Sequence, residues 1–495
     1  MWGEPKPLLD IMPDTSTILE STSRQRLFVI LISIAAFMGT LDSTIVNISL
    51  PSIAEYYDTS VTMVSWIPIA YLLTLAAAMI AFGCYADLHG HRKVYLSGFG
   101  IFTVASLLCA LSPTIEVMIG CRIVQGLGAA MLQAIGGAMI AIYLPREVRG
   151  RALGMMATFA SLGIVVGPGL GGVLTQFASW QWIFFVNIPV GIGAILLGRM
   201  VMPPDRPDVR PDCAFDLSGA VLLFVTLASL IFSLSMGKTL GFLSPVILAS
   251  AVLFIAGAAI FLYRESHVQN PLIRLSIFRN RDYSLSTFGA ICVFFIYMGT
   301  SFLLPFYLEQ GRGYSTEIAG LFMMVPAIAM LVIATLAGRT ADRIGSQALC
   351  IASGALFIIT MFLFSLLSTE TPIVFLIVNL ILFGTAMGLY TAPNTRLLMS
   401  HAVRGEEGLV SSITMTVKNI GSSLGVAIFS LLFVYASGKI FTGIIITDSQ
   451  RNTGLHAAFI FGCAVAVIIL VTAILSHEKQ AGISPVVIRD EQRIR

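Results

Sequence analysis

The chain has little charge and little that resembles an enzyme. Only 11% of its 495 residues are Asp, Glu, Lys or Arg, against roughly 25% in an average soluble protein. No Lys/Arg run resembles a nucleic-acid patch. Seven cysteines (Cys84, Cys109, Cys121, Cys213, Cys292, Cys350, Cys463) lie scattered, mostly in apolar runs and without a Cys-x-x-Cys pair. They read as small core residues, neither a disulfide framework nor a metal site. The histidines are equally dispersed. No Gly-x-x-x-x-Gly-Lys-Ser/Thr loop occurs, so no nucleotide is expected to drive the protein. No His-Glu-x-x-His helix or paired aspartates stand in the apolar runs, which argues against an intramembrane hydrolase. The connections are too short for a receptor's soluble domain. Residues 1–26 are polar, and the first apolar run begins near Leu27 without a small-residue cleavage site, so no cleaved signal peptide is expected.

What is present is hydrocarbon. With 57% hydrophobic residues, the chain divides into fourteen apolar stretches long enough to cross a bilayer, each needing about 20 residues. These spans 1–14 fall near 27–50, 62–85, 94–111, 115–143, 152–174, 182–200, 217–236, 243–263, 284–308, 316–338, 347–367, 371–395, 409–435 and 456–475. Charge tests the map. Odd-numbered connections hold only Lys238, Arg312, Lys439 and Arg451, and Arg122 and Lys418 lie inside spans. All the other Lys and Arg residues stand in even-numbered connections and the two tails. The positive-inside rule then places both termini in the cytoplasm.

The fourteen spans are internally repeated. Gly83-Cys84-Tyr85-Ala86-Asp87-Leu88-His89-Gly90 is echoed by Gly338-Arg339-Thr340-Ala341-Asp342-Arg343-Ile344-Gly345, and each joins two apolar runs. Gly126, Gly163 and Gly167 are matched in the same way by Gly384, Gly421 and Gly425. Such a shift covers eight spans, so spans 1–6 match spans 9–14 and spans 7–8 are inserted. The expected fold is an all-α polytopic membrane protein: two pseudo-symmetric six-helix bundles plus two inserted helices. The expected domains are a tail (1–26), a first bundle (27–200), a linker (201–216), inserted helices (217–263), a linker (264–283), a second bundle (284–475) and a tail (476–495).

Several stretches carry a family resemblance. Gly83 to Lys93 resembles the signature loop between spans 2 and 3 of the major facilitator superfamily. Leu41-Asp42-Ser43-Thr44-Ile45-Val46-Asn47-Ile48-Ser49-Leu50-Pro51 resembles the first-span signature of its fourteen-span drug:proton antiporters. Arg122-Ile123-Val124-Gln125-Gly126 is similar to the family's span 4 motif, and Gly163 to Gly172, with Gly167-Pro168-Gly169, to its span 5 antiporter motif. Trp180-Gln181-Trp182 also fits, with Gln181 where Arg is usual. Leu88 and His91 replace basic residues common in the signature loop, and Leu380 stands where the second half would repeat Arg122. The resemblance implies the major facilitator fold and export of lipophilic drugs or metabolites in exchange for protons. It also implies no cofactor beyond the proton gradient, and small-molecule, proton and lipid partners without nucleic acid. A monomer in the plasma (inner) membrane is expected. A carrier for one anionic or lipid-like substrate is the alternative, and a non-transporting receptor is a further one.

Asp42 is the sharpest single residue. It follows Arg26 by 16 residues, roughly 24 Å along a helix rising about 1.5 Å per residue. That is deep in the outer half of the hydrocarbon, where a carboxylate is costly. Arg122 falls at similar depth on span 4. The two form either a proton switch, in which protonating Asp42 releases Arg122, or a permanent ion pair fixing two helices.

Lys418, with Asn419 beside it, lies near the midplane of span 13, facing a cavity or capping carbonyls. Trp66, Tyr71, Tyr297, Phe302, Phe306 and Tyr390 are candidates to stack on flat cargo, and Gln125, Asn187 and Asn394 to read its polarity. Glu309 ends span 9 at the outer surface, as a plain surface acid or a gating one. Asp87, with its echo Asp342, is expected to cap the next helix start or to pair with a base such as Arg92. Together with Gly83 and Gly90 it would latch one conformer. Gly163, Gly167, Pro168 and Gly169 would bend span 5 and let it seal against a neighbour.

Overall fold

The computed structural model describes residues 19, 21–205, 216–268, 275–400, 407–438 and 448–476. Most of both expected tails, most of the linker at 201–216 and residues 269–274 of the linker at 264–283 lie outside these residues. Among the described residues the chain is nearly all helix and contains no strand, as an all-α membrane fold requires. Backbone N–H and C=O groups inside hydrocarbon have no water to bond, so they must be satisfied within each helix.

Fourteen helices are long and apolar enough to span: Thr22–Tyr56, Val61–His89, His91–Ala110, Ile115–Tyr143, Arg146–Phe177, Trp182–Val201, Leu217–Gly237, Pro245–His267, Arg281–Gly311, Thr316–Ile344, Ser346–Ser365, Ile373–Ser400, Val410–Ala436 and Ser449–Leu475. They are spans 1–14 of the sequence map, several running a turn or more beyond its apolar limits. Span 2 is interrupted near Ser65, where Val61–Val64 gives way to Trp66–His89. Pro168 lies within span 5, and span 9 carries Pro305 before ending in a π-helical turn, Tyr307–Gly311.

The repeat is visible as the same crossing made twice. A side chain on Gly163 would meet the Phe37 carbonyl, and one on Gly167 would meet Thr44 and the Ile45 amide. In the second half Gly421 is pressed against the Ile291 carbonyl and Gly425 against that of Phe295. Spans 5 and 13 thus lie backbone to backbone on spans 1 and 9, an approach only glycine permits. The two hinges also agree. Gly90 (φ 101°) and Gly345 (φ 86°) each end one long helix and begin the next, in a conformation side chains rarely adopt.

The halves meet mainly where span 5 packs on span 10 and span 2 on span 13. These seams close at the charge-poor end. Thr316 N–H donates to Gln176 Oε1 at 3.2 Å, and glycines face backbone on both sides: Gly172 toward the Thr316 carbonyl and Gly320 toward that of Pro168. The basic-loop end is more open at the positions that follow. A side chain on Gly83, Gly150 or Gly154 would meet nothing within 4 Å, and the hinge acids Asp87 and Asp342 are 46% and 71% exposed.

The hinge departs from the expected latch. Asp87 neither caps span 3 nor pairs with Arg92, but lies 3.1 Å from His91, one turn on. Asp205, arriving from beyond span 6, takes the Arg92 and Lys93 amides at 2.8 and 2.9 Å instead. Arg92 donates to the Arg199 carbonyl. The echo Asp342 pairs with Arg396.

Inserted spans 7 and 8 pack on each other, and span 7 touches both span 2 and span 13, so it bridges the halves. Asp216 accepts from Gly219 N–H at 2.8 Å, capping span 7, and from Arg264 of span 8 at 2.6 Å. Burial works against its carboxylate, but the bonds from Arg264, Gly219 and Ser218 and the Arg264 charge outweigh it and hold the group below its usual range.

Backbone contacts cannot yield to a new side chain. Gly425→Val is therefore expected to lower stability by roughly 3 kcal/mol or to prevent folding, whereas Gly83→Ala leaves the thermal midpoint in detergent unchanged. Equal midpoints for the two variants would contradict the crossing.

Candidate functional site

Arg122 and Asp42 are both 0% exposed, inside the first bundle. Arg122 Nη1 donates to Asp42 Oδ2 at 2.6 Å and to Gln125 Oε1 at 2.7 Å. Its Nε reaches the Ile67 carbonyl, in the first turn after the break in span 2, at 3.4 Å, and its guanidinium lies 4.3 Å from the Tyr71 ring centroid. The second oxygen of Asp42 accepts from Gln125 Nε2 at 2.9 Å and Asn187 Nδ2 at 3.3 Å. Asn187 also donates to Ser106 Oγ at 3.0 Å, and that hydroxyl to the Phe184 carbonyl. One ion pair thus ties together spans 1, 2, 3, 4 and 6. Its burial is tolerable because nearly every donor and acceptor is used.

The second half has no counterpart. Matching the glycine crossings (Phe37 to Ile291, Gly126 to Gly384) puts Ile296 opposite Asp42, Leu380 opposite Arg122 and Phe383 opposite Gln125, all buried. Phe357, Phe364 and Phe383 pack edge to face there, with Phe364 stacked on Phe459.

Between the halves lies a small central cavity. Its wall comprises Thr44, Asn47 and Ile48 of span 1, Ile164 and Pro168 of span 5, Tyr297, Met298 and Ser301 of span 9, and Met323, Pro326 and Ala327 of span 10. Asn47 lies five residues beyond Asp42 on the same span. Its Oδ1 is buried without a partner, and its Nδ2 reaches only the Ser43 carbonyl at 3.5 Å. Nothing in the residue pattern singled out Asn47 or Ser301, although Asn47 stands in the same first-span stretch as Asp42.

The expected cavity residues disperse. Tyr297 lies on the wall, stacked 5.9 Å from Phe383. Tyr71, Gln125 and Asn187 serve the ion pair instead of facing cargo. Trp66 lines a separate apolar groove between the first bundle and spans 7–8. Phe302 is fully buried against Phe306. Tyr390 reaches the Ser286 carbonyl, and Asn394 is buried in span 12. Lys418 Nζ sits 5.3 Å from the Phe294 ring centroid. Phe294 is one turn from Tyr297 and Met298 toward the basic-loop end, so Lys418 stands beside the cavity on that side. Among the described residues no carboxylate pairs with it. Asn419 is partly exposed next to it, its carbonyl taken by Ser423. Glu309 is not a plain surface acid: one oxygen accepts from Thr316 Oγ1 at 2.9 Å and the other is buried without a partner.

Repeated bundles, glycine crossings and a cleft open at one end also describe a known family, whose model, the Major Facilitator Superfamily, matches residues 32–426. The chain belongs to the major facilitator superfamily. Among its relatives in the superfamily is the riboflavin transporter RibZ of Clostridioides difficile, 33% identical over 82% of this chain and 87% of that one. The putative multidrug resistance protein MdtD of Serratia proteamaculans is 31% identical over 90% and 91%. The methylenomycin A resistance protein of Bacillus subtilis is 30% identical over 85% and 90%. Among solved structures, a bacterial homologue of the human lysosomal transporter Spinster, inward-facing and unoccupied, superposes with a TM-score of 0.65 at 14% identity, over 92% of this chain and 97% of that one. A D-xylose-proton symporter gives 0.63 at 14% identity, over 90% and 97%. These two share the fold. The protein is a multi-pass membrane transporter.

Removing one member of a buried pair strands the other, at a cost of about 3–5 kcal/mol. Arg122→Leu alone is expected to lower the thermal midpoint sharply, and Asp42→Ile with Arg122→Leu, which copies the second half's Ile296 and Leu380, to recover most of the loss. A double variant no better than the single one would mean the charges do not set the stability of this core.

Proposed function

We propose that this major facilitator protein exports lipophilic small molecules in exchange for protons, by alternating access, as a monomer in a bacterial inner membrane. Both termini and the basic loops would then face the cytoplasm, and the open cleft would face cytoplasmic cargo. Relatives named for multidrug and methylenomycin A resistance support the export reading. The energy source is the proton gradient, with no resident cofactor and no enzymatic step.

The observation that carries this reading is a fully buried Asp42–Arg122 pair five residues along span 1 from Asn47 on the cavity wall. A proton on Asp42 removes the anion that Arg122, Gln125 and Asn187 all address. Arg122 keeps Gln125 Oε1 and the Tyr71 face, while span 1 loses its charged tie to spans 4 and 6. Because span 1 also supplies Thr44, Asn47 and Ile48 to the cavity, proton and cargo act on one helix. An exchanger needs that shared element, since binding one partner must change the affinity for the other.

The cavity wall, mostly apolar with a few polar groups, has the lining that flat lipophilic cargo calls for, and its volume of about 20 Å³ would have to widen to admit one. Lys418 supports a second reading, a carrier for one anionic substrate, because its charge stands close to the cavity on the basic-loop side.

Asp42→Asn is expected to abolish gradient-driven export in inverted vesicles while sparing cargo counterflow, which moves no net protons. Undiminished driven export by that variant would remove Asp42 from coupling. Lys418→Met should shift relative affinity toward lipophilic cations by several-fold in a paired dye-binding assay, and unchanged preference would mean Lys418 does not face cargo.

A further inference from the structure

The charge-poor end holds a carboxyl that the Asp42 scheme does not use. Pro305 interrupts the bonding of span 9, and the chain leaves the helix through the π turn Tyr307–Gly311, where Arg312 N–H bonds back five residues to Tyr307 O at 2.9 Å. Such turns insert one extra residue and re-aim side chains. Here Glu309 is turned toward the seam between the halves. Its Oε2 accepts from Thr316 Oγ1, and the Thr316 N–H donates to Gln176 Oε1 of the first half. Glu309, Thr316 and Gln176 therefore form a chain of bonds across the closed seal, while Glu309 Oε1 stays buried and unbonded.

None of the charged neighbours bonds the second oxygen of Glu309. From span 1, Glu55 bears on Glu309 with like charge. From span 10 comes Glu317, next to Thr316, and span 5 offers Gln176, which is neutral. On its own element, Tyr307 donates to the Ser368 carbonyl, and Arg312 is spent on the Thr369 and Thr371 carbonyls and the Tyr314 hydroxyl. Arg451 of span 14 stands by Gly311. An ionised Glu309 with an unbonded oxygen beside Glu55 opposes this packing, and a neutral carboxyl fits it.

We propose that Glu309 is a second proton-binding site, occupied while the charge-poor gate is closed and emptied when that gate opens. Opening parts span 10 from span 5, breaks the Thr316–Gln176 bond and lets water reach both carboxylates. The proton exchanges with the outer water alone. It is therefore not the transported proton but one that biases the gate: acid outside favours closure and returns the carrier to its cytoplasm-open form. By linkage, one proton held in only one state moves the equilibrium by up to about tenfold per pH unit. The proposal rests on the antiport reading for its direction but not for its geometry.

The test is a double electron–electron resonance distance between spin labels at Ala178→Cys and Leu366→Cys, one on each half, in lipid nanodiscs across a pH series, with the native cysteines replaced. In wild type, raising the pH should move the population from the short to the long distance. Glu309→Gln should hold the short distance at every pH, and Glu55→Gln should shrink the pH-driven change. A Glu309→Gln series that follows wild type, or a wild type whose distance ignores pH, overturns the proposal. If the labelled chain does not reconstitute, the outside-pH profile of cargo counterflow is read instead, and it should be flat in Glu309→Gln. Gradient-driven export by wild type is measured alongside. Its absence would count against the antiport reading, whereas its presence with an unaltered pH response in Glu309→Gln would count against the Glu309 site alone.

Discussion

A guanidinium in hydrocarbon has no water to fall back on, and Arg122 dictates its surroundings accordingly. The carboxylate of span 1, the Gln125 amide, the Ile67 carbonyl just after the break in span 2 and the face of Tyr71 all converge on it. Each partner comes from a different helix or turn, so charge neutralisation and helix assembly are one requirement. The second half meets the same backbone geometry with Ile296, Leu380 and Phe383, and so needs no polar assembly at all. Two copies of one architecture have thereby become unlike: one core is built around a buried ion pair and the other is apolar.

What keeps the halves alike is backbone. Gly163 and Gly167 on span 1, and Gly421 and Gly425 on span 9, repeat one crossing, while Gly90 and Gly345 repeat one hinge. Side chains around these points are free to differ, as the hinge itself shows. Asp87 turns to His91, Asp342 to Arg396, and the helix start after Gly90 is held by Asp205 from a distant segment.

The fold was legible because a bilayer enforces simple rules. Twenty apolar residues make a span, and loop charge counts the crossings, so all fourteen helices were readable and only their ends ran long. Asp42 and Arg122 were legible for the same reason, since a charge in such a helix stands out. The cavity wall was not. In helices apolar all round, no periodic contrast separates a face turned to cargo from one turned to lipid or to a neighbour. Tyr71, Trp66, Phe302 and Tyr390 were therefore placed by residue type alone, and Asn47 and Ser301 passed unnoticed. Asp205 was missed because its partners lie on a helix three spans earlier, and the setting of Glu309 because a π turn breaks the register that sequence spacing assumes.

The seal at the charge-poor end joins Gly172 and Gly320 to main-chain atoms of the opposite half. Main chain has the same chemistry whatever the side chains nearby, so this closure makes no demand on the identity of Met298, Ser301 or Met323 further in. Mutation can redraw the cavity without loosening the barrier that keeps ions from leaking. A lineage built this way can exchange one cargo for another in single steps, with the membrane kept tight throughout.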